Sequence, residues 1–322
     1  MKSPQRLPML GLLLLCRHCL PGLVAVFALL GASTAGAAAG DRLPVVASFS
    51  ILGDLVGQVG GDRVEVTTLV GPATDAHTYQ PTPTDARRLA RTRLVVINGL
   101  GFEGWIERLI GSAGYRGPVL VASQGAQILH PSSATDGKRS GHSHPRFAAD
   151  PHAWQDLGNG RRYVHNIAAA LTAADPAGKA VYEANATRLN EQLQALDTEI
   201  RTTLGALPAN KRKVVTSHDA FAYFGRAYGV RFIAPVGVGN DAEPSAADVA
   251  AIIRQLRQEQ VKSVFLENVT DPRLLQQISR ESGARIGGTL YSDSLGRPGT
   301  PAATYLGMMR ENYRTLRGAL VD

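Results

Sequence analysis

The strongest constraint in this sequence is an alternation that stops and then starts again. From Gly40 onward, short β-branched runs alternate with amphipathic segments, the pattern of a parallel sheet with crossover helices. "LPVVASF", "RVEVTTLV", "RLVVING" and "GPVLVAS" read as strands, with "SILGDLVGQVGG", "TDARRLART" and "FEGWIERLIG" as the helices between them. Residues 158–207 are then almost wholly helical in composition. After them the alternation resumes, with "KVVTS", "VRFIAPV", "VKSVFLEN" and "ARIGGTLY" as strands. "DAFAYFGRAYG", "PSAADVAAIIRQLRQEQ", "DPRLLQQISRESG" and residues 302–320 read as helices. The predicted fold class is α/β: two similar βα lobes, each of about four strands with flanking helices, joined by a single long helix.

The joining segment divides at Asp175-Pro176. Proline suits the first turn of a helix, so one is predicted to start there and to run about 30 residues, or about 45 Å. Leu189, Leu193, Leu196, Ile200 and Leu204 give it one apolar stripe. A helix of that length ties two lobes together with little freedom between them. The organisation expected is a first lobe over 40–157, a helical segment over 158–208 and a second lobe over 209–322. Residues 131–149, "PSSATDGKRSGHSHPRFAA", are polar and aperiodic and form a loop in the first lobe.

The first 39 residues stand apart. Lys2 and Arg6 precede the apolar run 10–15, and a second run, 22–30, leads into Ala-x-Ala sites ending at Ala37 or Ala39. Residues 1–39 therefore read as a cleaved signal peptide that sends the chain to the periplasm. Neither run reaches the roughly 20 apolar residues of a membrane span. Leu15 before Cys16 is not the small residue that lipid attachment requires, so no lipobox is seen. Both cysteines, Cys16 and Cys19, leave with this segment, and any metal site in the mature chain must use nitrogen and oxygen donors. Three positive side chains and no acids are lost, which takes the net charge from +7 to +4. With no basic cluster interleaved with aromatics, nucleic acid is not an expected partner.

Four ligand-type residues recur in similar surroundings. His77 in "DAHTYQPTPTD" follows a strand and precedes two prolines, and His152 in "DPHAW" follows the polar loop. His218 in "VVTSHDAF" stands between a strand and a helix, and Asp293 in "GGTLYSDSLG" follows the last strand. Any one alone reads more readily as a surface residue or a turn cap than as a ligand. Together they give two candidates per lobe beyond the carboxyl ends of strands, where open α/β sheets place ligands, and so a metal site in the interlobe cleft. Three imidazoles and one carboxylate suit tetrahedral Zn²⁺ and leave no open position for activating water. Ser217, His218 and Asp219 are contiguous and cannot form a hydrolase relay, whose members come from separate segments. Asp219 is expected to cap the helix that follows.

In order and spacing, "DAHTYQPTPTD", "DPHAW", "SHDAFAYFGRAYG", "EPS", "FLEN" and "GGTLYSDSLG" resemble the zinc and manganese solute-binding proteins of bacterial ABC importers, the TroA-like or ZnuA-like group. The resemblance covers about residues 43–320. It implies two α/β lobes bridged by a long helix with a metal held between them by His77, His152, His218 and Asp293. Members that prefer manganese or iron commonly carry glutamate as the third ligand, where this chain has His218. Nitrogen donors favour Zn²⁺ over Mn²⁺.

The implied function is a periplasmic, high-affinity zinc-binding protein, expected to be monomeric and not an enzyme. It would deliver Zn²⁺ as its transported ligand to the membrane permease of an ABC importer. Mn²⁺ or Fe²⁺ in the same role, a zinc-storage or adhesion protein, and a metalloenzyme are the competing readings. Typical zinc members carry a long His-rich loop and often a cysteine pair. This chain has only His142 and His144 in "GHSHP", which either capture zinc for the site, directly or from a periplasmic zinc chaperone, or are solvated loop residues. Glu267 and Asn268, at the end of "VFLEN", either orient a ligand histidine or make structural hydrogen bonds. Trp154 is expected to pack beside the cleft.

Overall fold

The computed structural model describes residues 42–130, 149–239 and 244–321. The expected signal peptide and the His142–His144 pair lie outside the described residues, as does most of the polar loop. Among the described residues no helix is long and apolar enough to cross a membrane.

The first half builds β1 (Leu43–Phe49), α1 (Ser50–Gly60), β2 (Val64–Val70), α2 (Pro83–Ala90), β3 (Leu94–Ile97), α3 (Ile106–Ser112) and β4 (Val119–Val121). Two helices follow, α4 (Leu157–Ala174) and α5 (Lys179–Gly205). The second half builds β5 (Lys213–Val215), α6 (Ala222–Tyr228), β6 (Arg231–Ile233), α7 (Ala246–Gln258), β7 (Ser263–Glu267), α8 (Arg273–Ser282), β8 (Arg285–Leu290) and α9 (Tyr305–Val321).

The strands form two four-stranded parallel sheets of one topology, β2-β1-β3-β4 and β6-β5-β7-β8. Strand order reverses between β1 and β3 in one sheet and between β5 and β7 in the other. That reversal opens a crevice beyond the strand ends, because the loops leaving the two central strands turn to opposite faces. Six of the seven β1 residues are buried, as expected of a strand covered on both sides.

Local chemistry sets several element ends. Thr82 and Asp85 form a reciprocal capping box around Pro83 at the start of α2, and Ser245 with Asp248 does the same for α7. Gly229 and Gly283 stop α6 and α8 in left-handed backbone that favours glycine.

The long helix α5 spans 27 residues, or about 40 Å. It begins at Lys179 and not at the predicted proline, because residues 176–178 first make a tighter 3-10 turn. Its predicted stripe is buried throughout, and α5 packs on α1 and α4 of the first half and on α6 and α9 of the second. One apolar core therefore runs from Leu52 on α1 through Leu193 on α5 to Phe224 on α6 and Met308 on α9. A smaller cluster, including Val215, Ile253 and Ile278, fills the space between the second sheet and α7 and α8.

Two element ends differ from the sequence reading in ways that matter for the site. Helix α3 starts at Ile106, leaving Phe102 and Glu103 in a loop in which Gly99, Leu100 and Gly101 all have positive φ. Asp219 does not cap α6: that helix starts at Ala222, and the Asp219 N–H instead donates to the Gly237 carbonyl at 3.2 Å.

Candidate metal centre

His77 leaves the loop between β2 and α2, and His218 leaves the end of β5. Asp293 follows β8. His152 differs from the expected pattern: it does not stand at a strand end but on a turn long after β4, just before the 3-10 turn Ala153–Gln155 that leads into α4. The two halves thus contribute from unlike positions, and only their destination is shared.

There the four side chains converge, with one donor atom from each lying within 4.8 Å of all the others. Asp293 sits at the centre. Its Oδ2 is 3.1 Å from His218 Nε2 and 3.5 Å from His77 Nε2, and its Oδ1 is 3.3 Å from His152 Nε2. His77 Nε2 and His152 Nε2 are 3.4 Å apart. The four side chains are between 0% and 2% exposed, so water does not compete for them.

The backbone turns that present the first two histidines repeat one device. Asp75 Oδ1 accepts the His77 N–H at 2.8 Å, and Asp150 Oδ1 accepts the His152 N–H at 2.9 Å. Each is an aspartate two residues ahead of its histidine, closing an Asx turn. Asp150 Oδ1 also lies 2.8 Å from His152 Nδ1, which places the ring proton there and turns the lone pair of Nε2 toward Asp293.

Glu267 supports His218 in a similar way. Its Oε1 accepts the N–H groups of Ser217 and His218 at 2.7 and 3.0 Å, and its Oε2 is 2.7 Å from His218 Nδ1, at ion-pair distance but off the line of a hydrogen bond. Asn268, the other candidate supporting residue, holds the loop of the carboxylate and not an imidazole. Its Nδ2 donates to the Ser294 carbonyl at 3.0 Å, because its strand end points toward β8. Trp154 packs edge-on to His152 with ring centroids 5.3 Å apart, and Phe102 packs edge-on to His77 at 4.6 Å.

The electrostatics of the cluster suit a cation. Both Asp293 oxygens and both His218 ring nitrogens are buried without a hydrogen-bond partner. Burial pushes the Asp293 carboxyl up, but His218, His152 and His77 outweigh it and hold it well below the usual carboxylate range. Burial likewise opposes charge on His218, and the Glu267 and Asp293 carboxylates outweigh that and hold its imidazole well above the usual histidine range. Buried polar atoms this close, left without donors, are costly unless a cation sits among them. Three nitrogens and an oxygen match the donor preference of a first-row transition metal.

Asp75, Asp150 and Phe102 escaped the reading of the sequence. The first two carried a usable signal, since D-x-H occurs at both first-lobe histidines. Phe102 carried none, because "FEGWIERLIG" reads as helix.

Comparison with known proteins yields one consistent picture. Residues 45–319 match the family described as ZnuA, the periplasmic component A of the zinc-uptake complex. The manganese ABC transporter substrate-binding lipoprotein PsaA of Streptococcus pneumoniae is 30% identical over 303 residues, 92% of this chain and 95% of that one. The iron ABC transporter substrate-binding lipoprotein MtsA of Streptococcus pyogenes is 30% identical over 297 residues, 90% of this chain and 93% of its own length. Among solved structures, the periplasmic zinc-binding protein TroA of Treponema pallidum superposes with a TM-score of 0.78 at 27% identity, covering 87% of this chain and 99% of that one.

Proposed function

We propose, from the premise that this chain belongs to the ZnuA/TroA-like family of periplasmic metal-binding proteins, that it captures Zn²⁺ outside the cytoplasm and delivers it to an ABC importer. His77, His152, His218 and Asp293 are the ligands in this reading. The observation that carries it is the convergence of three imidazole nitrogens on one buried carboxylate whose oxygens have no other partner. Four protein donors close a tetrahedral shell, which favours holding an ion over activating water on it. The ion is cargo, the chain works as a monomer, and its partner is the membrane permease of the importer. Zinc reaches the site directly or from a periplasmic donor protein.

Zinc is favoured by the donor set, since three nitrogens and one oxygen are softer than the oxygen-rich shells that suit manganese. A second reading has its own support: PsaA and MtsA are named for manganese and iron. Affinity in vitro does not separate the two, because zinc outranks manganese and iron at most nitrogen and oxygen sites. The deciding experiment is anomalous scattering at the zinc, iron and manganese edges, using crystals of protein purified without added metal. One zinc per chain among these four side chains is the expected result. Manganese or iron there replaces zinc with the second reading, and a metal held elsewhere removes the site assignment.

A further inference from the structure

Glu103 is a second buried carboxylate in the first lobe, and the metal centre does not touch it. It follows β3 and is 4% exposed. Its Oε1 accepts from Ser48 Oγ and from the Asn98 N–H, both at 2.6 Å, and its Oε2 accepts from the Gly99 N–H at 3.2 Å. The loop it closes is strained: Gly99, Leu100 and Gly101 have φ of 81°, 59° and 81°, and a leucine in left-handed backbone persists only where its surroundings over-determine it.

What this loop holds is the turn of a ligand. Asn98 is fully buried, and its Nδ2 donates to the Pro151 carbonyl at 2.9 Å. Its Oδ1 accepts from Tyr163 Oη at 2.6 Å, and its own carbonyl accepts from Ser123 Oγ at 2.6 Å. Pro151 is the middle residue of Asp150-Pro151-His152. The second lobe offers a parallel. Glu267 ends β7, which holds the place in its sheet that β3 holds in the other, and it receives the N–H groups of Ser217 and His218. Each lobe therefore sets a buried glutamate at its point of strand reversal. In the second lobe the glutamate meets a ligand directly, and in the first it reaches one through Asn98.

We propose that Glu103 and Asn98 are a positioning pair for His152. The carboxylate locks the left-handed loop, the loop fixes the Asn98 amide, and the amide holds the Pro151 carbonyl so that His152 Nε2 faces Asp293. The inference rests on the reading of His152 as a ligand given above.

A double-mutant cycle tests it. Glu103→Gln keeps the shape of the side chain but turns an amide N–H toward a group that also donates, which loosens the loop. Zinc affinity is measured by competition with a chromophoric chelator, using the full chain, for Glu103→Gln alone and in His152→Ala and His218→Ala backgrounds. Loss of a supporting group behind a metal ligand weakens binding by about tenfold, so that loss is expected alone and again with His218→Ala. With His152→Ala already in place, the further loss should fall to about twofold or less, since the ligand it positions is gone. The Co²⁺ absorption spectrum of Glu103→Gln should also shift. If Glu103→Gln does not fold, Asn98→Ala, which leaves the carboxylate with its Ser48 and backbone partners, takes its place in the same cycle.

Equal losses in both backgrounds, or none in the otherwise unchanged chain, overturn the pair. Should His152→Ala itself leave zinc affinity unchanged, the ligand reading fails and takes the pair with it. A weakened His152→Ala beside an unaffected Glu103→Gln removes the pair alone.

Discussion

At His218 one imidazole faces two carboxylates, Glu267 at Nδ1 and Asp293 at Nε2. Against the opposing effect of burial, they push its imidazole well above the usual histidine range. A metal bound at Nε2 would compete with a proton there. Because this pKa is raised, affinity should climb as pH passes 6.5 and level only above the raised value, with about one proton released per ion at neutral pH. Calorimetry in buffers of different ionisation enthalpy reads that release, and a flat affinity between pH 6 and 8 would contradict it.

The same shifts bear on the metal-free fold. The His218 contribution is full below 6.5 and is lost as pH rises through the raised value, while that of Asp293 is present above 3.8 and is lost as pH falls through its depressed value. Glu267→Gln removes one of the two carboxylates. It should weaken metal binding by about 10- to 100-fold and flatten the pH dependence, both readable in one titration series. The four convergent residues could be picked out in the sequence because each sits in an unusual local context of turn residues. The groups behind them were harder to see: Glu267 was recognisable at a strand end, whereas Glu103 looked helical. Three successive positive-φ residues, imposed by tertiary contacts to Ser48 and Pro151, overrode the helical pattern around it.

Among the elements, β1 was read to the residue, and α5 was recognisable despite starting three residues after the expected proline, because an unbroken apolar stripe over so long a segment leaves few alternatives. The short strands β5 and β6, three residues each, were placed well by their flanking glycines and helices, while their ends were not. Strand order was not readable, since it depends on which sheet edge each crossover returns to. The placement of α5 has a measurable consequence. Leu193 is fully buried in the core that both halves share, and none of the four convergent donors lies on this helix. Leu193→Ala should therefore cost about 2–5 kcal/mol of stability in denaturant unfolding. Zinc affinity of the folded variant should stay within about twofold of the original, since well-separated sites add independently. A much larger loss of affinity would mean that α5 sets the geometry of the cleft as well as holding the halves together.

In the whole molecule, the two halves are fastened close to the four convergent side chains as well as along α5. Trp154 Nε1 donates to the Ser292 carbonyl at 2.9 Å, and Ser50 Oγ accepts the Leu295 N–H at 3.0 Å. Asp54 Oδ2 accepts the Tyr305 N–H at the start of α9 at 2.7 Å, and Tyr223 Oη from α6 donates to the Asp150 carbonyl at 2.7 Å. A hinge that opened the cleft widely would break all four and expose the continuous core beneath them. Metal should then act by filling a preformed site and not by closing two lobes over it. Two measurements separate these cases. Small-angle scattering profiles with and without zinc should superimpose, where hinge closure would shrink the radius of gyration. Thermal stability should nonetheless rise, because an ion that binds only the folded chain adds about 4 kcal/mol at a free concentration 1,000 times its Kd. At roughly 2–4 °C per kcal/mol for a chain of this class, that is a shift on the order of 10 °C. A large compaction on zinc addition would place the ordering step in the lobes. A shift in melting temperature with unchanged scattering would place it in the few side chains around Asp293.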